Sequence, residues 1–362
     1  MVIIVINVRK TQENEVSVLF RILTNYAQLI TSTLSFSTQY PTSLTEVLLP
    51  IKNIGDSSET FLSFDWFITD YEIKGPFPSN SFFKLFLMLF LPLILFFFVS
   101  LLMITYAYFS KTNNTKRYLA ISFISIIFLL HPKLTQESLS IFRWVDIDKG
   151  VSKVRINTDM EWYSAEHLKW CVLLGAPILI IWVTVLPLTA LVMMYRNVRK
   201  KGENKVKQYF LILYQGIKID YFYWEFINSG RKILILMSFL LPSTFGIIVS
   251  IFLLIIVWRF QNHLKPYKEA KNNYIEMFGI NVAIITLICG HIYNQDYETN
   301  TEILDSILLF IMLILNIIFI ILWLGLLIIS LGEKYTFLAK VIYLTIPNIG
   351  CEVNPNGMIF II

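Results

Sequence analysis

The chain has 362 residues, 56% of them hydrophobic and only 15% charged, with 30 Lys and Arg against 25 Asp and Glu and a mean hydropathy of +0.64. A soluble domain carries about 25% charged and about 45–50% apolar residues, so this composition excludes a soluble globular chain, a disordered one and a coiled coil. What remains is a polytopic membrane protein. The formal net charge of +5 sits in short basic runs beside apolar spans, where it reads as a topology signal, and nucleic acid is not expected as a partner.

The first element is Glu15–Tyr40. Its apolar residues include Val18, Leu19, Ile22, Leu23, Tyr26, Leu29 and Ile30, while Arg21, Asn25, Gln28 and Ser32 step by four, three and four. That is the period of one helix face. Two readings are open: an amphipathic helix lying in the interface, or a crossing helix whose polar stripe points into the bundle. Pro41 ends it in either case. Arg9 and Lys10 follow the apolar start of the chain, so those first residues are not a signal peptide. Residues 1–80 form an N-terminal segment with helix 15–40 and an outside loop 41–80.

A bilayer core needs about 20 apolar helical residues. Leu85–Ser110, Trp170–Tyr195, Ile233–Trp258 and Ser306–Leu331 contain no Asp, Glu, Lys or Arg, and Tyr118–Pro132 and Met277–Gln295 are shorter stretches of the same kind. Pro242, Ser243 and Thr244 interrupt the third long stretch. A helical hairpin there, 221–241 then 245–261, places the basic loops Lys111–Arg117, Arg196–Lys207 and Arg259–Lys271 on one side, which the positive-inside rule makes cytosolic. Asn294–Glu302, with no Lys or Arg, falls outside. The expected spans are about 82–108, 116–132, 170–196, 221–241, 245–261, 274–293 and 303–331, within a bundle over 81–331. The outside loop 133–169 interrupts this bundle, and a cytosolic tail, 332–362, follows it. The fold class is all-α: a polytopic transmembrane helical bundle of seven or eight spans.

The hairpin puts Arg231 and Lys232 inside a crossing helix. Two readings stand side by side. The pair snorkels to the cytosolic headgroups with Tyr223 and Trp224 in the aromatic belt, or it forms a gate or lipid-headgroup site with Glu225, which shares a helix face with Lys232 two turns on. Asn273-Tyr-Ile-Glu276 predicts a capping box at a helix start. Asn281 and Asn316 lie in the last two spans. They are expected to bond across helices or, with Arg21, Asn25 and Gln28, to line a hydrated path. Candidate lining or gate residues are therefore Arg21, Asn25, Gln28, Glu225, Arg231, Lys232, Asn281 and Asn316.

His167 and Cys171 are too few ligands for a metal site. Asp146, Asp148, Asp159 and Glu161 read as solvated loop charges. Cys171 and Cys289 both map near the outer face, where free thiols are expected in preference to a bridge. No GxSxG, HExxH, P-loop or GxGxxG pattern stands in a fitting context. We expect no enzyme, no cofactor and no catalytic residue.

The order of motifs resembles a known domain. Arg21-Ile-Leu-Thr-Asn-Tyr-Ala-Gln28 is followed by Pro41, Leu62-Ser-Phe-Asp65, His131-Pro132, Tyr214, Tyr223-Trp-Glu-Phe226, Arg231-Lys232, Gln261, Pro266-Tyr267 and Asn273-Tyr-Ile-Glu276. Over roughly residues 15–330 this series resembles the TRP-like (transient receptor potential-like) multi-span domain that closes large cysteine-rich ciliate surface proteins. The resemblance implies a plasma-membrane location and a channel relationship, with inorganic cations and further copies of the chain as partners beside membrane lipids. The other expectation is a non-conducting surface receptor or adhesion anchor, a fragment of a larger surface protein. The resemblance also implies cysteines where this chain has Trp66, Trp144 and Trp162.

Overall fold

The computed structural model describes residues 15–34, 46, 48–49, 76–110, 115–148, 151–201, 215–238, 240–293, 302–334, 351–353 and 359–361. The expected loop 41–80, most of the tail and both loops that set the charge contrast fall largely outside these residues, as does Trp66.

The chain forms helices α1 (Glu15–Leu34), α2 (Asn80–Ser110), α3 (Thr115–Ser140), α4 (Ala165–Trp170), α5 (Leu186–Lys201), α6 (Trp224–Ser238), α7 (Ser243–Leu264), α8 (Ala270–Tyr293) and α9 (Glu302–Lys334). Among the described residues, six helical runs are long and apolar enough to cross a membrane: Asn80–Phe109, Tyr118–Ser140, Ala165–Arg196, Thr244–Leu264, Ala270–Tyr293 and Ile303–Gly332. Their outward faces carry rows of exposed Phe, Leu and Ile, such as Phe97, Phe98, Leu101 and Leu102 on α2 and Phe310, Ile321 and Leu322 on α9. In water such rows would be unstable; in lipid they are the solvated surface. Helix α1 falls short of that apolar test because polar side chains interrupt it, and α6, with 15 residues, is too short for it.

Three local features depart from the sequence reading. Helix α3 continues through Pro132 to Ser140, so the loop expected from residue 133 starts later. Lys133 bridges Glu137 one turn on at 2.8 Å, and Lys84 of α2 lies 3.7 Å from the same carboxylate, which holds the added turns against α2. The stretch Trp170–Tyr195 is not a plain α-helix. It winds as π-helix over Cys171–Gly175 and Ile178–Val185 before α5, around Pro177 and Pro187, which supply no N–H donor. Thr184 Oγ1 donates back five residues to the Leu179 carbonyl at 2.9 Å, in keeping with the wider turn. The fold is mostly helical but carries short strands: β1 (Trp144–Asp148), β2 (Val151–Val154) and β3 (Asn157–Glu161) make an antiparallel meander between α3 and α4, and β4 (Cys351–Val353) pairs with β5 (Ile359–Ile361). Trp144 and Trp162 face each other across the meander, ring centroids 5.9 Å apart.

Two cores fill the interior. One lies among α2, α3, the π segments and the meander, with Phe82, Leu85, Ile126, Ile178 and Trp182 buried in it. The other gathers α1, α6, α7, α8 and α9 around Leu19, Ile22, Trp224, Ile280 and Phe319. Helix α1 is central to this second core. It buries 13 of its 20 residues, far more than the single stripe that a helix lying on a surface would cover. It packs against α6, α8 and α9. Glu15 meets Lys271 at the start of α8 at 2.7 Å and Ser330 near the end of α9 at 3.2 Å, so the starts of α1 and α8 and the end of α9 share one end of the bundle.

Between α6 and α7 the chain turns over residues 240–242, with Pro242 preceding the first turn of α7. Between α7 and α8 it makes a tight return at Pro266–Lys268, which pairs with Gly216–Lys218: Lys218 N–H donates to the Pro266 carbonyl at 2.9 Å and Lys268 N–H to Gly216 at 3.0 Å. Gly216 has φ +74°, and a Cβ there would run into Val18. Glycine is required at this position both for the left-handed backbone and for the close approach of α1.

Candidate functional site

Six of the eight residues singled out from the sequence meet in one place. Arg21 and Asn25 project from α1 one turn apart, with Gln28 three residues on. Glu225 lies in the first turn of α6, Arg231 and Lys232 about two turns later, and Glu276 of α8 joins them. Counting 1.5 Å per residue from the starts of α1, α6 and α8, Arg21, Arg231, Lys232 and Glu276 lie about 10 Å in from the Glu15 end, with Glu225 nearer that end.

The contacts form a closed node. Arg231 Nη2 donates to Glu276 Oε1 at 3.3 Å. Lys232 Nζ donates to Asn25 Oδ1 at 2.7 Å and to Gln28 Oε1 at 2.5 Å. Arg21 Nε lies 3.8 Å from Glu225 Oε2, and Arg21 Nη2 donates to the Gln215 carbonyl at 2.5 Å. Asn228 Nδ2 donates to Glu225 Oε2 at 3.4 Å. The Arg21 guanidinium also lies 5.9 Å above the Tyr267 ring, within cation–π range.

Burial counts against the snorkelling reading of the basic pair. Arg231 is 4% exposed, Lys232 6% and Glu276 4%, and Trp224 is fully buried. The pair does not reach outward past the helix end, and Trp224 is part of the core and not of a belt. The physical reason is that α1 brings two amide oxygens and α8 a carboxylate to the same depth. Each cation thus finds a partner inside the bundle and need not snorkel.

The capping box is corrected too. Helix α8 begins at Ala270, before Asn273. Asn273 instead clasps the preceding turn: its Nδ2 donates to the Tyr267 carbonyl at 2.9 Å and to Glu269 at 3.1 Å, and its Oδ1 accepts from Tyr267 N–H at 3.1 Å. Glu276 is thereby released from a local role and pairs with Arg231. Burial, reinforced by the Glu276 carboxylate, pushes the Tyr267 hydroxyl well above its usual range, so it stays protonated beside the node.

The two remaining residues lie elsewhere. Asn316 of α9 accepts from Tyr26 Oη at 2.5 Å, and its Nδ2 donates to Thr286 Oγ1 at 3.3 Å and to the Met312 carbonyl at 2.7 Å. It ties α1, α8 and α9 together one or two turns beyond the charges. Asn281 is half-buried on α8, and no hydrogen bond joins it to the node among the described residues.

The sequence reading did not single out Tyr26, which stacks on Phe319 with centroids 3.5 Å apart, or Trp323, whose indole N–H donates to the Leu19 carbonyl at 2.8 Å. Nor did it place Glu276 in the cluster; an acid within the first two turns of a mostly apolar helix was the available signal. His131 was noted only as part of a motif. Its Nε2 lies 3.1 Å from the Val183 carbonyl, so that nitrogen carries the proton, and it fastens α3 to the π segment.

The metal and thiol expectations concern other positions. His167 Nδ1 accepts from Tyr163 N–H at 3.1 Å and Nε2 donates to the Ile141 carbonyl at 2.9 Å, so both ring nitrogens serve the chain itself. Cys171 and Cys289 are free and buried. Asp146 accepts from Ser152 Oγ at 2.7 Å. No group of three or more acidic, His or Cys side chains is arranged to hold a metal among the described residues.

No protein-family model, no curated protein and no solved structure matches this chain.

Proposed function

We propose that the chain is a TRP-like channel module of the plasma membrane, crossing it eight times with the Glu15 end in the cytosol, and that the α1–α6–α8 node is the latch that holds it closed to inorganic cations. The observation that carries this reading is the buried node itself. Three cations and two carboxylates are costly within a bundle, and well-packed apolar side chains of similar volume are often as stabilising or more so. A bundle that only anchors needs no such group, whereas intramembrane charge commonly marks an ion path or a moving part. Two of the cations hold separate helices together, so releasing them frees α6 from α1 and α8 at once.

The orientation rests on Arg196–Lys207, with six basic residues against Glu203 alone, and on the positive-inside rule. In intact cells, a Gly202→Cys variant should stay unmodified by a membrane-impermeant maleimide added outside, and an Asp296→Cys variant should react. Outside labelling at position 202 would invert the topology.

Conduction is tested on the purified full chain in a planar bilayer. Cation-selective unitary currents are expected, with a larger open fraction in Arg231→Met/Glu276→Met, where the ion pair is gone but no lone charge remains. Silence of both proteins over the full voltage range would favour the second reading, a non-conducting receptor or adhesion anchor. That reading has its own support: most of the polar groups pair with one another in a compact node, as a packed bundle favours.

A further inference from the structure

The node contains two nitrogens whose hydrogen bonds are not accounted for. Asn25 Nδ2 and Arg231 Nε are buried and have no partner among the described residues. The orientation of the Asn25 amide is fixed by chemistry: its oxygen accepts from Lys232, and an ammonium cannot accept from an NH2 group. The other end of the amide must therefore donate elsewhere. Arg231 likewise gives Nη2 to Glu276 and leaves Nε over.

Both side chains line the same small cavity, together with Glu276, Tyr26, Gly279 and Phe319. About 10 Å³ of it is open to the centre of a water-sized sphere, close to the least room that one water needs. The lining offers two N–H donors and a carboxylate acceptor, a set that matches the hydrogen-bonding capacity of one water molecule. Gly279 keeps the space open on one side: a Cβ there would come within 3.0 Å of Phe319 Cε2 and 3.1 Å of Tyr26 Cδ2.

We infer that this cavity is a binding site for a single water molecule, which accepts from Asn25 Nδ2 and Arg231 Nε and donates to the Glu276 carboxylate. The water links the Lys232–amide half of the node to the Arg231–Glu276 half, so α1, α6 and α8 share one continuous hydrogen-bonded unit. A halide ion is the competing occupant, since the node carries three cations against two acids. It is disfavoured because it can only accept, it would lie beside the Glu276 carboxylate, and it is larger than the room available.

The site stands whether or not the protein conducts, and it is tested by structure and not by current. The full chain in lipid nanodiscs, at a resolution that shows ordered water, should have one peak about 2.7–3.2 Å from both nitrogens. An Asn25→Asp variant keeps an oxygen for Lys232 but replaces the donor by an acceptor. A water can reverse its hydrogen bonds and the peak should persist, whereas a halide would be expelled. Gly279→Ala narrows the cavity and should lose the peak; should that variant fail to fold, the Asn25→Asp comparison still decides. The inference is overturned by wild-type protein with no peak at the site, by a protein oxygen on either nitrogen in place of the peak, or by an anomalous bromide signal there after halide exchange.

Discussion

Replacing Glu276 by leucine is expected to destabilise the folded protein by about 3–5 kcal/mol, because it leaves the Arg231 guanidinium buried without its acid. The pair is almost fully enclosed, at 2% and 4% side-chain exposure, with Nη2 and Oε1 3.3 Å apart. Solvent therefore cannot take over the role of the carboxylate, as it would at a surface where such pairs contribute little. The decisive comparison is with Arg231→Met/Glu276→Leu, which removes both charges. That variant should recover most of the loss, since apolar side chains of similar volume replace a buried pair at little net cost. Denaturant-driven unfolding of the four proteins of the cycle, in one detergent, isolates the coupling between the two residues. A Glu276→Leu protein within about 0.5 kcal/mol of wild type, the range of ordinary surface changes, would mean that Arg231 has another partner and that the node does not bind α6 to α8.

Asn25→Leu/Gln28→Leu should have a comparable effect by a different route. These two oxygens, 2.7 and 2.5 Å from Lys232 Nζ, are the acceptors that the buried ammonium has on α1. Hydrogen bonds to a charged group contribute about 1.5–3 kcal/mol each, so losing both should cost several kcal/mol. The added Lys232→Met change should restore much of it by removing the stranded charge. The sign of the outcome also separates the two placements of α1 that the sequence left open. On a helix lying in the interface, two more leucines would tighten membrane attachment and leave the rest of the bundle unaffected. In the core described here they strand a lysine 204 and 207 positions away in the chain. An unfolding midpoint unchanged by the double substitution would argue against the central position of α1.

Both predictions depend on pairings that no local pattern announces. Periodicity placed Arg21, Asn25 and Gln28 on one face of a helix, because the 3.6-residue turn is a local property of the backbone. The same reasoning placed Glu225 and Lys232 on one face of another. It could not bring the two faces together, since two amphipathic helices can each bury a polar stripe against many partners. Glu276 shows the limit most clearly. Asn273 and Glu276 have capping-box spacing, and the local reading is satisfied by the sequence alone. In the fold the helix starts earlier at Ala270, Asn273 holds the Tyr267 turn, and the carboxylate is free to meet an arginine 45 positions earlier.

Composition and the long runs without charge by themselves determined that this is a mostly helical membrane protein. Apolar surface on that scale has no other solvent, and backbone groups in lipid must be satisfied within the helix. Proline and charge also marked the turn near Pro242, because proline lacks the donor that a continuing helix needs. Tertiary structure decided the rest: the continuation of α3 past Pro132, the π-helical winding after Cys171, the interior position of α1, and the burial of Arg231 and Lys232. Those outcomes turn on which groups from distant helices arrive at the same depth. In a low-dielectric interior a charge is tolerated only where its partner already stands, and that placement is a property of the packed bundle as a whole.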